Sequence, residues 1–259
     1  MKQIRLDVLL RRRGLVSSRE RARRLIDAGQ VLVNDRVVAK ASSQVEEDAR
    51  VEIRRGLPYV SRGGCKLAKA LDIFGIDPAG WVVADVGAST GGFTDCLLQR
   101  GARRVYAIDV GYGQLDWRLR NDSRVVVMER TNARYLEALP EAVDLVTIDV
   151  AFISLRLILP QARNWLSPDG QVVALIKPQF EAGPDRIGKG GVVRDESIHR
   201  TVLQDVLGWA VANGWSLCGL TTSPIKGAKG NVEFLAWLDT GSPERDLKRA
   251  IDGVTQGAV

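Results

Sequence analysis

Four ionisable residues stand where an α/β sheet presents its chemistry. Asp149 closes the apolar run from Asp144, and Lys177 closes another from Val172, just before Pro178. Glu233 interrupts a late apolar stretch ending at Leu238, and Lys66 follows Ser61-Arg62-Gly63-Gly64 at the entrance to a helical stretch. Each alone has an ordinary explanation, because Asp and Lys often cap strand ends. As a set they converge, since the carboxyl ends of such strands meet at the ligand cleft. A fifth feature says what the cleft holds. The apolar run Val82–Val86 ends in a glycine-rich turn, Gly87 to Gly92, before a helix near Phe93-Thr94. Glycines there let the backbone approach a ligand closely. A second strand beginning at Arg104 ends in Asp109, whose carboxylate can accept hydrogen bonds from both hydroxyls of an adenosine ribose. The chemistry is that of a nucleoside cofactor.

The turn reads DxGxSxGGF, not GxGxxG. Its leading Asp85 suits a cofactor with an ammonium group better than one with a pyrophosphate, which disfavours nicotinamide. It resembles the loops that bind S-adenosylmethionine, and this implies cofactor contacts from Asp85, Gly87, Ser89, Thr90, Gly91, Gly92, Phe93 and Asp109. The phosphate loop GxxxxGK[ST] is absent. Gly188-Lys189-Gly190-Gly191 follows no strand and reads as a mobile loop near the substrate. Cys65, Cys96 and Cys218 are scattered singly without zinc-like spacing, so no metal is expected and a reducing, cytoplasmic location is.

Positioning these residues requires a sheet. Strands are expected at 82–86, 104–108, 125–128, 144–149, 172–177, 216–222 and 233–238, with helices at Leu155 to Trp165 and Ile198 to Asn213. Such alternation predicts a Rossmann-like α/β domain with a mainly parallel seven-stranded sheet, its last two strands an antiparallel hairpin. His199 is expected at the surface of a helix start. The six tryptophans read as packing residues, not as base-stacking platforms.

The net charge of +6 is unevenly placed. Residues 1–55 hold 14 Lys and Arg against 8 Asp and Glu, whereas residues 56–259 hold 23 of each. A basic module on a neutral body points to a polyanionic partner. Leu6, Leu9 and Leu10 form one apolar helix face within residues 5–13. A second helix is expected from a Ser17/Glu20 capping box, with Ala22, Leu25 and Ile26 buried before Gly29. Strands about an Asn34-Asp35 turn and a strand from Val45 to Ile53 follow. This order resembles the S4 RNA-binding domain. The resemblance implies a small α+β domain over residues 1–55, a linker at 56–60, a catalytic domain at 61–259, and phosphate contacts from Arg5, Arg11, Arg12, Arg19, Arg23, Arg24 and Arg62. Such contacts supply affinity, not base choice.

The segments SRGGCKL (61–67), ADVGASTGGFTDCLL (84–98), DLVTIDVAFISL (144–155), LIKPQFE (175–181), GKGGVVRD (188–195) and KGNVEFL (229–235) resemble the TlyA family. Its members join an S4 domain to an FtsJ-type methyltransferase and are also labelled haemolysins. The resemblance implies S-adenosylmethionine-dependent methylation of a ribose 2′-hydroxyl, of cytidine in 16S or 23S ribosomal RNA, by a Lys66-Asp149-Lys177-Glu233 tetrad. The family often has Ala-His where this chain has Gly64-Cys65, which leaves the tetrad intact. A ribose hydroxyl is a poor nucleophile, so it must be oriented and relieved of its proton. By analogy Lys177 is the base, with Lys66 and Asp149 orienting it and Glu233 positioning the network. The rivals are a pseudouridine synthase, which needs no cofactor loop, an inactive assembly factor, and a membrane-active protein. No 18-residue apolar run supports the last.

Overall fold

The computed structural model describes residues 3–27, 30–38, 40–53, 58–183, 186–188, 190–243 and 245–255, with the backbone alone at Arg24. The chain divides into two compact units, Met1–Pro58 and Tyr59–Val259.

In the first unit, β1 (Gln3–Arg5) leads into α1 (Leu6–Arg12), and α2 (Arg19–Asp27) packs on it. The i, i+3, i+4 leucines Leu6, Leu9 and Leu10 are buried with Ala22, Ile26, Val31 and Val45 in one small core. Strands β2 (Val31–Val33) and β3 (Arg36–Val37) form a hairpin whose turn residues Asn34 and Asp35 both have positive φ, 49° and 64°. That backbone matches the right-handed twist of the flanking strands. Two expectations change. Ser18, not Ser17, caps α2, its hydroxyl accepting from the Arg21 N–H at 3.1 Å. The stretch Val45 to Ile53 is two strands, β4 (Gln44–Glu46) on β1 and β5 (Val51–Ile53) on β2. A turn closed by Ala49 N–H on the Glu46 carbonyl lets one run serve both partners. The predicted helix stop at Gly29 and linker residues 56–57 lie outside the described residues.

The second unit runs α3 (Gly63–Phe74), β6 (Val82–Val86), α4 (Gly92–Gln99), β7 (Arg104–Ile108), α5 (Trp117–Arg120), β8 (Val125–Met128) and β9 (Val143–Ile148). Then come α6 (Leu159–Trp165), β10 (Leu166–Ile176), α7 (Pro178–Glu181), α8 (Glu196–Ala212), β11 (Ser216–Thr222), β12 (Phe234–Asp239) and α9 (Leu247–Thr255). The seven-stranded sheet has the order β11-β12-β10-β9-β6-β7-β8. It is parallel from β10 to β8, and β12 is antiparallel to both neighbours, as the hairpin expectation requires. Alternate residues of β6 enter different cores: Val82, Ala84 and Val86 face one helical layer, Val83 the other. Strand order reverses at β6/β9, which is where open α/β sheets bind ligands.

His199 is fully buried, contrary to expectation. Asp195 caps α8, which turns His199 inward beside Val202 and Leu203. Its Nε2 lies 3.1 Å from the Val193 carbonyl oxygen, and burial lowers its pKa.

Candidate active site

At the β6/β9 reversal the second unit holds a cavity of about 950 Å³, near the upper end of the usual range for small-molecule sites. Lys66, Asp149, Lys177 and Glu233 all line it. They arrive from the first turn of α3, the residue after β9, the residue after β10 and the residue before β12. Antiparallel pairing of Ile176 with Phe234 brings the exit of β10 beside the entrance of β12. The four side chains form two ion pairs. Lys66 Nζ lies 2.6 Å from Glu233 Oε2, and Lys177 Nζ lies 2.6 Å from Asp149 Oδ1. The lysines are only 11% and 12% exposed, so these charges are held in a largely desolvated place, where interactions are stronger than at a wet surface. Glu233 is enclosed further. Gln179 Nε2 donates to it at 3.5 Å, and a Cβ at Gly227 would lie 1.9 Å from its Oε1.

The glycine-rich turn is built for close approach. A Cβ on Gly87, whose φ is 83°, would meet the Asp149 carbonyl oxygen at 2.5 Å. A Cβ on Gly92 would meet Ser61 Oγ at 2.2 Å and the Gly64 nitrogen at 2.9 Å, so α3 and α4 begin almost in contact. Gly87, Ser89, Thr90, Gly92, Phe93 and Asp109 line the cavity. Asp109 accepts from the backbone N–H groups of Ser89 at 2.8 Å and Gly111 at 2.7 Å, so its carboxylate is already aimed.

Asp85 and Gly91 do not line it. Gly91, with φ 94°, packs against Leu119 and Leu115. Asp85 is fully buried under the turn, where Thr94 Oγ1 donates to it at 2.6 Å and Thr147 Oγ1, its cross-strand neighbour, at 3.1 Å. The side chain thus ties β6 to β9 and α4 instead of reaching the cavity. Burial pushes its carboxyl up to about 7, with a contribution from the Asp149 charge, against the two hydroxyl hydrogen bonds. Between pH ~4 and ~7 the folded chain therefore keeps a proton that the unfolded chain, with an ordinary aspartate near 3.9, has lost. Asp85 consequently costs stability increasingly as pH rises through that window. Asp85→Asn, whose amide can still pair with both hydroxyls, is expected to raise the melting temperature at pH 8 by at least about 2–4 °C and to lose the advantage by pH 4. Thermal melts across pH check this, and an equal gain at both ends contradicts it.

Two aromatic cavity residues, Phe152 and Phe180, are not among the site residues expected from the sequence. Phe152, 88% exposed with φ 62°, projects from the loop after Asp149 and meets Phe180 at 4.7 Å between ring centroids. An apolar ring three residues beyond a strand-end aspartate was the available signal. Glu181 fixes that loop by accepting from Ser154 Oγ at 2.7 Å and Leu155 N–H at 2.8 Å. Arg62, Lys226 and Lys229 also line the cavity. Lys229 donates to the Gly190 carbonyl at 2.8 Å, which joins the KGN segment to the glycine-rich segment after 187, although Lys189 itself lies outside the described residues.

In the first unit the expected phosphate-binding arginines are partly tethered. Arg5, Arg19 and Arg23 gather on Asp7, and Arg12 pairs with Glu47. Arg11 is exposed, and the Arg24 side chain lies outside the described residues. Among the described residues there is no group of three or more His, Cys, Asp or Glu that could hold a metal, and no helix long and apolar enough to cross a membrane.

Comparison with known proteins agrees with this layout. Residues 59–240 match the FtsJ-like methyltransferase family, and residues 4–51 match the S4 domain. The chain is 46% identical over 262 residues to the 16S/23S rRNA (cytidine-2′-O)-methyltransferase TlyA of Mycobacterium tuberculosis (strain H37Rv), covering 100% of this chain and 98% of that relative. It is 42% identical over 236 residues to Hemolysin A of Brachyspira hyodysenteriae, covering 90% and 98%. A solved structure from Streptococcus thermophilus, described as a candidate hemolysin, superposes with a TM-score of 0.77 at 46% identity and covers 100% of this chain and 96% of that one. The chain belongs to the FtsJ-like methyltransferase family, in its S4-bearing TlyA branch.

Proposed function

We propose that this protein transfers a methyl group from S-adenosylmethionine to the 2′-hydroxyl of a cytidine in 16S or 23S ribosomal RNA. The observation that carries this reading is the pair of desolvated lysine–carboxylate contacts, Lys66–Glu233 and Lys177–Asp149, facing a glycine-lined cradle across one cavity.

The cradle fits the cofactor. Gly87 and Gly92 let the turn close against the exit of β9 and the start of α3 where any Cβ would collide with protein atoms, Asp109 is positioned to receive ribose hydroxyls, and the adjoining starts of α3 and α4 favour a carboxylate. Ser89, Thr90 and Phe93 complete the cradle, while Asp85 and Gly91 support it from behind. When bound, the cofactor supplies a methyl group already activated on a sulfonium. The remaining work belongs to this chain. Lys177 holds the attacking oxygen and, once it has passed its own proton to solvent, takes the hydroxyl proton at Nζ, while Asp149 fixes that nitrogen and stabilises the ammonium so formed. Lys66 and Glu233, locked together, complete the wall against which the ribose is oriented. Phe152 offers a flat face to a nucleobase. Arg62, Lys226 and Lys229 offer positive charge to the neighbouring phosphates, and the N-terminal arginines add affinity for the RNA backbone.

Mapping 2′-O-methyl groups on ribosomal RNA from cells with and without the protein tests the assignment. One or more cytidine sites should lose methylation in its absence and regain it with the wild-type chain but not with Lys177→Ala. Identical maps would overturn the enzymatic reading.

A further inference from the structure

Asp7 is a charge in an unexpected place. Its side chain is fully buried in the first turn of α1, yet the tetrad chemistry does not use it. Arg5, immediately before α1, grips it with a two-pronged contact of 3.0 and 3.1 Å. Arg19, the first residue of α2, donates to it at 2.9 Å, and Arg23 Nε lies 3.6 Å away. Arg19 and Arg23 are four apart and so share one helix face.

We infer that Asp7 is a positioning residue for RNA: it gathers Arg5, Arg19 and Arg23 into one seat whose outward guanidinium edges receive adjacent phosphates of an RNA strand. This rests on the RNA-binding reading of the first unit. The three guanidinium side chains remain 39%, 44% and 56% exposed, so their heads stay accessible while one edge of the cluster is anchored inside. One carboxylate among three guanidiniums leaves two positive charges in excess at a single point. Like charges that close repel, and a phosphate relieves the repulsion while matching the planar donor fork of arginine. Hydrogen bonds from Arg5 above all hold the Asp7 carboxyl down at about 2, so the arrangement persists across working pH.

The expected effect of Asp7→Asn is opposite in sign to simple charge counting. The substitution removes a negative charge, which by net charge alone should tighten RNA binding and steepen its salt dependence. A dispersed trio should do the reverse. The probe is labelled 16S or 23S ribosomal RNA, titrated with the full-length wild type, Asp7→Asn and Arg19→Lys over roughly 50–200 mM salt. Asp7→Asn is expected to weaken binding about tenfold and to reduce the slope of log K against log [salt] by about one to two, at about 0.7–0.9 for each phosphate no longer neutralised. Misfolding of part of the sample would lower the active fraction without changing the slope, so the slope separates positioning from mere support. Arg19→Lys keeps the charge at an exposed position, removes the fork, and should weaken binding several-fold. Equal or tighter binding by Asp7→Asn with an undiminished slope would overturn the inference. If Asp7→Asn does not fold, unchanged affinity in Arg19→Lys overturns it instead. Absence of salt-dependent RNA binding by the wild type would sink the RNA-binding reading itself, a distinct outcome.

Discussion

Lys177→Ala is expected to lower single-turnover methyl transfer by at least ~10²-fold, the lower end of what a positioned general base supplies, while cofactor and RNA affinities change little. Lys177 Nζ is paired with Asp149 Oδ1 at 2.6 Å, and the pair is held at the exits of two adjacent parallel strands. Asp149→Ala should therefore cost a similar factor, because the amine loses the group that aims it. The double variant should cost little more than either single one, since residues acting as a unit are strongly non-additive. Lys66→Ala should cut transfer by a comparable factor through Glu233, which would be left as a buried charge without its partner. Near-normal turnover in all three single variants would remove the tetrad from the mechanism.

Gly87→Ala is expected to be the most damaging glycine substitution in the cradle. Its added Cβ would sit 2.5 Å from the Asp149 carbonyl oxygen, 2.9 Å from the carbonyl carbon and 3.3 Å from the Val150 Cα. All three are backbone atoms, so no side-chain rotation relieves the clash, and φ at this position is 83°. The exits of β6 and β9 must then separate, moving Asp149 and the cradle together. A stability loss of about 1–3 kcal/mol and loss of measurable cofactor binding should follow. Gly113→Ala provides the matched control. Its φ is 71°, yet nothing lies within 4 Å of the added Cβ, so it isolates the conformational cost, about 1 kcal/mol or somewhat more. Equal effects in calorimetry of the two variants would refute the close-approach argument.

The strand pattern of the catalytic unit is legible in the sequence because strands buried on both faces read as near-continuous apolar runs, and Val82–Val86, interrupted only by Asp85, and Leu145–Ile148, interrupted only by Thr147, are of that kind. The tetrad is legible for the same reason: Asp149 and Lys177 break such runs abruptly. What pairs with what is not legible. The family analogy sets both Lys66 and Asp149 to orient Lys177, whereas Lys177 is bound to Asp149 and Lys66 to Glu233, because β12 enters antiparallel beside β10 and delivers Glu233. Asp85 looks like a ligand contact from its place in the turn motif, yet the cross-strand register sets it opposite Thr147, beneath the turn. His199 looks like a surface residue at a helix start, but the helix begins at Glu196, and that rotates the histidine toward the sheet. Asp7 carries no signal of its own in the sequence. Only the packing of α1 on α2 shows it to be an anchor.

Everything proposed for the catalytic unit requires that one cavity bring an activated methyl group and a ribose hydroxyl together beside Lys177 and Asp149. The direct measurement incubates purified protein with methyl-labelled S-adenosylmethionine and unmodified ribosomal subunits or rRNA, then digests the RNA to nucleosides. Label in 2′-O-methylcytidine, lost with Lys177→Ala, is the expected result. Label on a nucleobase, or no transfer to either substrate, would contradict it.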